Sequence, residues 1–156
     1  MKMNRQSMIV LCIAILLIMV LLVWLFRKFL WRGRRRSDRF EDMEGHEFEY
    51  FCAELLEERG FTEVEVTRGS GDYGIDILAE KEGVTYAIQC KCYSGAVGVK
   101  AVQEAYAGRD YYDRMVGAVM TNQYFTGPAV EAAGKLKILL WDGGYIEGMM
   151  EERDCQ

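Results

Sequence analysis

Histidine is almost missing: His46 is the only one in 156 residues. A Ser-His-Asp triad needs its own imidazole and a multi-histidine zinc site needs several, so one ring leaves little room for either chemistry. Cysteine forms no framework either. The five thiols, Cys12, Cys52, Cys90, Cys92 and Cys155, have neither the paired spacing of a zinc site nor the density of a disulfide scaffold. That usage fits a reducing cytoplasm. The sequence has no internal repeat. Between Met8 and Phe26 it also has no charge, no proline and no glycine.

That last absence defines the first segment. A helix over 8–26 spans about 28 Å, close to the hydrocarbon core of a bilayer, and it has no polar stripe to suit a buried core helix. The run ends in Trp24-Leu25-Phe26-Arg27-Lys28 without the small-residue site at which a signal peptide is cleaved. Residues 1–26 are therefore expected to be a single-pass membrane anchor. Lys2 and Arg5 precede the span, whereas Arg27, Lys28, Arg32, Arg34, Arg35, Arg36 and Arg39 follow it. This bias orients the C-terminal part toward the cytoplasm, with Trp24 and Trp31 at the lipid–water interface. Residues 27–42 read as a basic juxtamembrane linker lying on anionic lipid, with contact to nucleic acid as the lesser reading.

The two parts of the chain carry opposite charge. Residues 1–39 hold nine Lys/Arg and one acid, net +8; residues 40–156 hold ten Lys/Arg and 23 Asp/Glu, net −13; together they give −5. Phosphate binding rests on cations, so the acidic part argues against strong non-specific affinity for nucleic acid.

From Glu44 to Arg59, Phe48, Phe51, Cys52, Leu55 and Leu56 recur at helical spacing, and Gly60 is a stop signal. Residues 62–67 alternate as a strand, and Gly69 to Gly74 is a loop. Ile75–Ala79 and Val84–Cys92 are two more strands about the turn Lys81-Glu82-Gly83. Val99–Tyr112 reads as a helix burying Val99, Val102, Ala105 and Tyr106. Met115–Thr121 is a strand. Thr126-Gly127-Pro128 opens a helix that runs to about Leu136. Ile138–Trp141 is a last strand and Asp142-Gly143-Gly144 a turn. The acidic tail, 147–156, is expected to fray. The predicted fold is α/β: a mixed sheet flanked by helices in the order α-β-β-β-α-β-α-β, with an antiparallel meander first.

A two-residue turn at Glu82-Gly83 pairs Lys81 with Val84, so paired positions sum to 165. Asp76 then lies opposite Gln89, and Lys91 shares its face, together with Leu78 and Ala87. The other face holds Ile75, Ile77 and Ala79 against Tyr86, Ile88 and Cys90. A carboxylate, an amide oxygen and an amine on one face suit Mg²⁺, with Mn²⁺ as a substitute: Asp76 and Gln89 supply oxygens, and the backbone carbonyl of Cys90 adds another. Lys91 is placed to orient or deprotonate a water, or to stabilise a charged phosphorane. Glu49, at the edge of the first helix's apolar stripe, is placed to support the metal; read alone, it is an ordinary solvated carboxylate. Asp, Gln and Lys on a strand also make a solvated face with an ion pair, so spacing alone leaves both readings open.

Three motifs taken together narrow the choice. Gly45-His46-Glu47-Phe48-Glu49, then Gly71-Asp72-Tyr73-Gly74-Ile75-Asp76, then Gln89-Cys90-Lys91 resemble the Mrr-like branch of the PD-(D/E)xK nucleases. Thr121-Asn122, Phe125-Thr126, Ala129 and Leu140-Trp141-Asp142-Gly143 extend the resemblance over about 43–146. It implies a restriction-endonuclease-like fold and an Mg²⁺-dependent endodeoxyribonuclease acting on double-stranded DNA, directed at foreign or modified DNA. By that resemblance the metal ligands fall on Asp76 and Gln89, the lysine on Lys91, and the acid of the first helix on Glu49; Asp72 matches a further family acid. Gln in place of Glu at position 89 is normal for this branch. Gln103, on the helix after the third strand, is a weaker candidate to line the site.

Other readings account for less. Gly69-Ser70-Gly71-Asp72-Tyr73-Gly74 matches GxGxxG, but a strand follows it and Asp72 repels phosphate, whereas a dinucleotide site needs a helix N-terminus. Cys90 and Cys92 point to the apolar face and suit core packing. Tyr111, Tyr112 and Tyr124 are available to stack on bases. The alternative to an enzyme is a catalytically inactive nuclease-fold module that binds DNA or a protein partner at the membrane, which the acidic charge favours. Cleaving both strands of a duplex needs two cuts, which a homodimer would supply.

Overall fold

The computed structural model describes residues 43–67 and 73–151, together with Ile18, Met19 and Leu21. The chain divides into two units, Met1–Arg39 and Phe40–Gln156. The expected membrane span, 8–26, lies outside the described residues apart from those three, as does the expected linker, 27–42. Among the described residues no helix is long and apolar enough to cross a membrane.

Within the second unit the described elements are α1 (Gly45–Glu58), β1 (Thr62–Val66), β2 (Ile77–Lys81), β3 (Val84–Lys91), α2 (Val99–Tyr111), β4 (Val116–Thr121), α3 (Gly127–Leu136), β5 (Ile138–Trp141) and α4 (Gly143–Glu151). The strands form one sheet in chain order, β1-β2-β3-β4-β5. The first three are antiparallel, and β4 and β5 join parallel to β3 through α2 and α3. This is the expected mixed sheet with its meander first. The hairpin register is as expected from Lys81–Val84 through Ala79–Tyr86 to Ile77–Ile88, but it ends there: Asp76 lies before β2 and does not pair opposite Gln89, its N–H bonding the Ile88 carbonyl instead.

Strand alternation sends Ile77, Ala79, Ile88 and Cys90 to one face, where they meet Phe48, Cys52, Leu55 and Leu56 of α1 in the largest core. Full burial of each such aliphatic side chain is worth about 1.5–3 kcal/mol, which makes this face the main stabiliser of the sheet. On the opposite face Val102 and Ala105 of α2 pack with Val119, Ile138 and Ala133. On α2 the buried residues are Ala101, Val102, Ala105 and Gly108; of the four expected, Val99 is only half-buried and Tyr106 is exposed, lying under the Arg109 guanidinium 4.7 Å from its ring centre.

Two further expectations change. Ile75 does not join Ile77 and Ala79; it is buried with Leu78 and Ala87 against Tyr112. Strand β2 begins only at Ile77, and Tyr73 and Gly74 both have positive φ, so the chain turns before the alternation starts. The second concerns Asp142-Gly143-Gly144, which opens α4 rather than making a free turn. Asp142 Oδ1 accepts from the Tyr145 N–H at 2.8 Å, an N-cap, and Ile146 is fully buried. Residues 147–151 of the expected tail are thus helical, with Met149 and Met150 against the core. The cap expected at Thr126 is present: its hydroxyl accepts from the Ala129 N–H.

Candidate active site

Where β2 begins, the Asp76 N–H donates to the Ile88 carbonyl, and the Asp76 carbonyl accepts from Thr67. The peptide is thereby held at both sides. The Asp76 carboxylate turns to β3, where Oδ2 accepts from the Cys90 N–H at 2.6 Å. Asp76 is therefore fixed to the one residue that separates Gln89 from Lys91.

Gln89 and Lys91 project from the face of β3 that α2 covers. Gln89 is 1% exposed, and its Nε2 donates to Glu104 Oε2 at 2.7 Å. A carboxylate only accepts, so this bond fixes which end of the amide is nitrogen. The other end, Oε1, is buried with no hydrogen-bond partner among the described residues. Lys91 Nζ stands 3.3 Å from the same Glu104 Oε2, and Lys100 Nζ lies 3.5 Å from Oε1 of that carboxylate. Burial pushes the Glu104 carboxyl upward, but the Gln89 hydrogen bond and the Lys91 and Lys100 ammoniums outweigh it and hold its pKa below the usual range.

Glu49 sits on α1, across the sheet from Glu104. Its side chain is half-buried, and Oε2 lies 2.9 Å from His46 Nδ1. Cys90 connects the two sides. Its thiol is pushed well up by a hydrogen bond to Cys52, by burial and then by the negative fields of Asp76 and Glu49. Both carboxylates thus act on the same short stretch of β3. Asp72 lies outside the described residues.

Gln103 is exposed; one residue further along α2, Glu104 is the side chain that meets Gln89 and Lys91. Sequence reasoning missed it. The only local signal was its Lys100 spacing of four, which reads as a surface pair. Gly74 closes the site from the loop side: a Cβ there would lie 3.1 Å from Glu104 Cβ and 3.2 Å from Gln89 Nε2. The motif Thr121-Asn122 braces the end of β3, with the Thr121 hydroxyl donating to the Lys91 carbonyl at 2.7 Å and the Asn122 amide bonding both the N–H and the carbonyl of Tyr93.

Among the described residues no three His, Cys, Asp or Glu side chains cluster as metal ligands. The expected ligand set differs from such a cluster because it includes an amide and a peptide carbonyl. A separate cavity of about 710 Å³ opens at the turn end of the β2–β3 hairpin, lined by Phe61, Lys81, Tyr86, Trp141 and Tyr145 among others, and none of the candidate catalytic residues lines it.

Residues 40–150 match the Mrr_cat family, described as restriction endonuclease. Among the curated proteins none matches the chain. Among solved structures the chain is similar to AF1548, a protein of unknown function, at 28% identity and a TM-score of 0.59 over 68% of this chain and 65% of that one. It is also similar in fold to the DNA modification-dependent restriction endonuclease AspBHI, at 19% identity and a TM-score of 0.62 over 78% of this chain. The chain spans just under two thirds of the first of these proteins and 35% of the second.

Proposed function

Because the chain belongs to the restriction endonuclease family that its residues 40–150 match, we propose that it is a divalent-metal-dependent endodeoxyribonuclease that hydrolyses phosphodiester bonds in double-stranded DNA. The observation that carries this reading is the buried Gln89 Oε1, which has no hydrogen-bond partner among the described residues, on a strand whose next residue binds the Asp76 carboxylate and whose Lys91 follows two positions on. An unmet buried oxygen costs about 1–3 kcal/mol, and a hard cation is a natural partner for it. The donor set therefore fits Mg²⁺, with Mn²⁺ able to replace it: Asp76, Gln89 and the Cys90 carbonyl would hold the ion, and Glu49, on the α1 side of the sheet, would support it through its negative field. Such an ion supplies charge neutralisation at the phosphate and a more acidic bound water.

The chain's own residues supply the rest. Asp76 is held by the Cys90 N–H, so its carboxylate needs no reordering when substrate arrives. Gln89 contributes a neutral oxygen, which keeps the site less repulsive to a phosphodiester than a second carboxylate would. Lys91, half-buried and two residues along the same strand, is placed to orient the attacking water and to meet charge developing on the phosphorane.

Foreign or modified DNA is the substrate class that membership in this family favours. The uncharged run 8–26 and the seven cations after it support a domain held at the cytoplasmic face of a membrane. A homodimer would place two such sites on the two strands of a duplex. Incubating the full chain with plasmid DNA, with and without Mg²⁺, tests the reading: metal-dependent conversion of supercoiled to nicked or linear DNA supports it, and intact plasmid with measurable DNA binding supports the competing one. That competitor, an inactive nuclease-fold module binding DNA or a protein, is favoured by one observation, the net charge of −13 on residues 40–156.

A further inference from the structure

We propose that Glu104 is a positioning residue that sets the orientation of the Gln89 amide and the place of the Lys91 ammonium, and so presents the Gln89 carbonyl oxygen to the metal. The proposal rests on the nuclease reading above and assigns a role to a side chain on α2 that lies outside the three motifs.

A glutamine side chain is ambiguous by itself, because turning the amide over exchanges a donor for an acceptor. As a metal ligand Gln89 works in only one of these states. Glu104 Oε2 removes the ambiguity: at 2.7 Å it accepts from the NH₂ group, and the reversed amide would bring two oxygens to that distance. The same oxygen lies 3.3 Å from Lys91 Nζ. One carboxylate oxygen therefore ties together two groups that stand two residues apart on β3. Lys100 engages the other oxygen, Oε1, at 3.5 Å, which steadies the carboxylate from the solvent side.

The surroundings leave Glu104 little freedom. Gly74, at φ +77°, brings its backbone so close that even a methyl group would crowd Glu104 Cβ and Gln89 Nε2. Gln89 is almost wholly buried, so no solvent water competes freely for its NH₂ group. Outer groups that orient metal ligands characteristically matter about 10–100-fold in metal affinity or activity.

The test compares the full chain with Glu104→Met, which has similar bulk and no acceptor, and Glu104→Gln, which keeps an acceptor but no charge. Two readouts are used. One is hydrogen exchange of the Gln89 side-chain NH₂ group, followed by ¹⁵N NMR without metal. The other is Mn²⁺ affinity by calorimetry. The expected result is a protected Gln89 amide in the native chain and fast exchange in Glu104→Met. Mn²⁺ affinity should fall ~10–100-fold in Glu104→Met and less in Glu104→Gln. Equal losses in the two variants would mean that only the charge matters and would overturn the positioning role. So would unchanged amide exchange in Glu104→Met. A native chain that binds no Mn²⁺ and cuts no DNA defeats the nuclease reading, while the exchange measurement still decides whether Glu104 fixes the amide.

Discussion

The Cys90 N–H donates to Asp76 Oδ2 at 2.6 Å, so the carboxylate proposed to hold the metal also completes the hydrogen bonding of the strand beside it. The two roles separate by substitution. Asp76→Ala leaves a buried N–H unpaired and is expected to cost about 1–3 kcal/mol as well as all activity. Asp76→Asn keeps an acceptor, so it should keep most of the stability and still lose cleavage. Urea unfolding beside plasmid nicking checks both; equal destabilisation by the two variants would contradict the assignment.

Lys91 is expected to matter to catalysis far more than to folding. Its partner Glu104 is partly exposed, and pairs of that kind contribute about 0–1 kcal/mol. Lys91→Ala should therefore keep a cooperative unfolding transition near that of the native chain. Cleavage should fall by ~100-fold or more, the scale for a positioned proton-transfer group. Retained metal-dependent cleavage would remove Lys91 from the mechanism.

Glu104 gives a stability effect with a defined sign. Its folded-state pKa is depressed, because the Gln89 hydrogen bond and the two lysines outweigh burial. As pH falls, the unfolded chain takes up this proton first. The contribution is complete above the unfolded carboxylate value, about 4.3, and is lost as pH drops through the lower folded value. Unfolding midpoints measured from about pH 6 down to about pH 3 should show the native chain's advantage over Glu104→Gln shrinking on acidification. An advantage that grew toward low pH would refute this.

Two glycines should respond oppositely to the same methyl group. A Cβ on Gly143 would stand 2.6 Å from the Asn122 carbonyl oxygen, so Gly143→Ala must displace backbone and is expected to cost about 1–3 kcal/mol. Gly134, inside α3, has open space around it; Gly134→Ala should stabilise by up to about 1 kcal/mol through helix propensity. Thermal unfolding of the two variants decides the point.

What the sequence disclosed followed from local pattern. The apolar stripe of α1, the Thr126 cap and the Lys81–Val84 hairpin register each depend on residues close in the chain, and each is present. With the register known, Gln89 and Lys91 fall on one face of β3, whereas Asp76 precedes β2 and reaches that strand only through the Cys90 N–H. What stayed hidden depends on packing between distant segments. Gly143-Gly144 has turn composition, yet Gly143 is there because α4 starts against Asn122, a fact with no local signature. Ile75 faces the unexpected side because Tyr73 and Gly74 turn the chain where α2 presses on it. Gln103 and Glu104 are adjacent on α2, and only the placement of that helix over β3 decides which one meets Gln89.

Since every strand lies beside its neighbour in the sequence, Asp76, Gln89, Lys91 and Glu104 all come from one uninterrupted stretch ending in α2. The connection at Asp113-Arg114 follows directly and precedes β4. A protein split there would carry all four of these groups, and Glu49 as well, on its first fragment. The second fragment, from β4 to α4, would bring none of them; it would supply the partner strands and core that make the first one hold its shape.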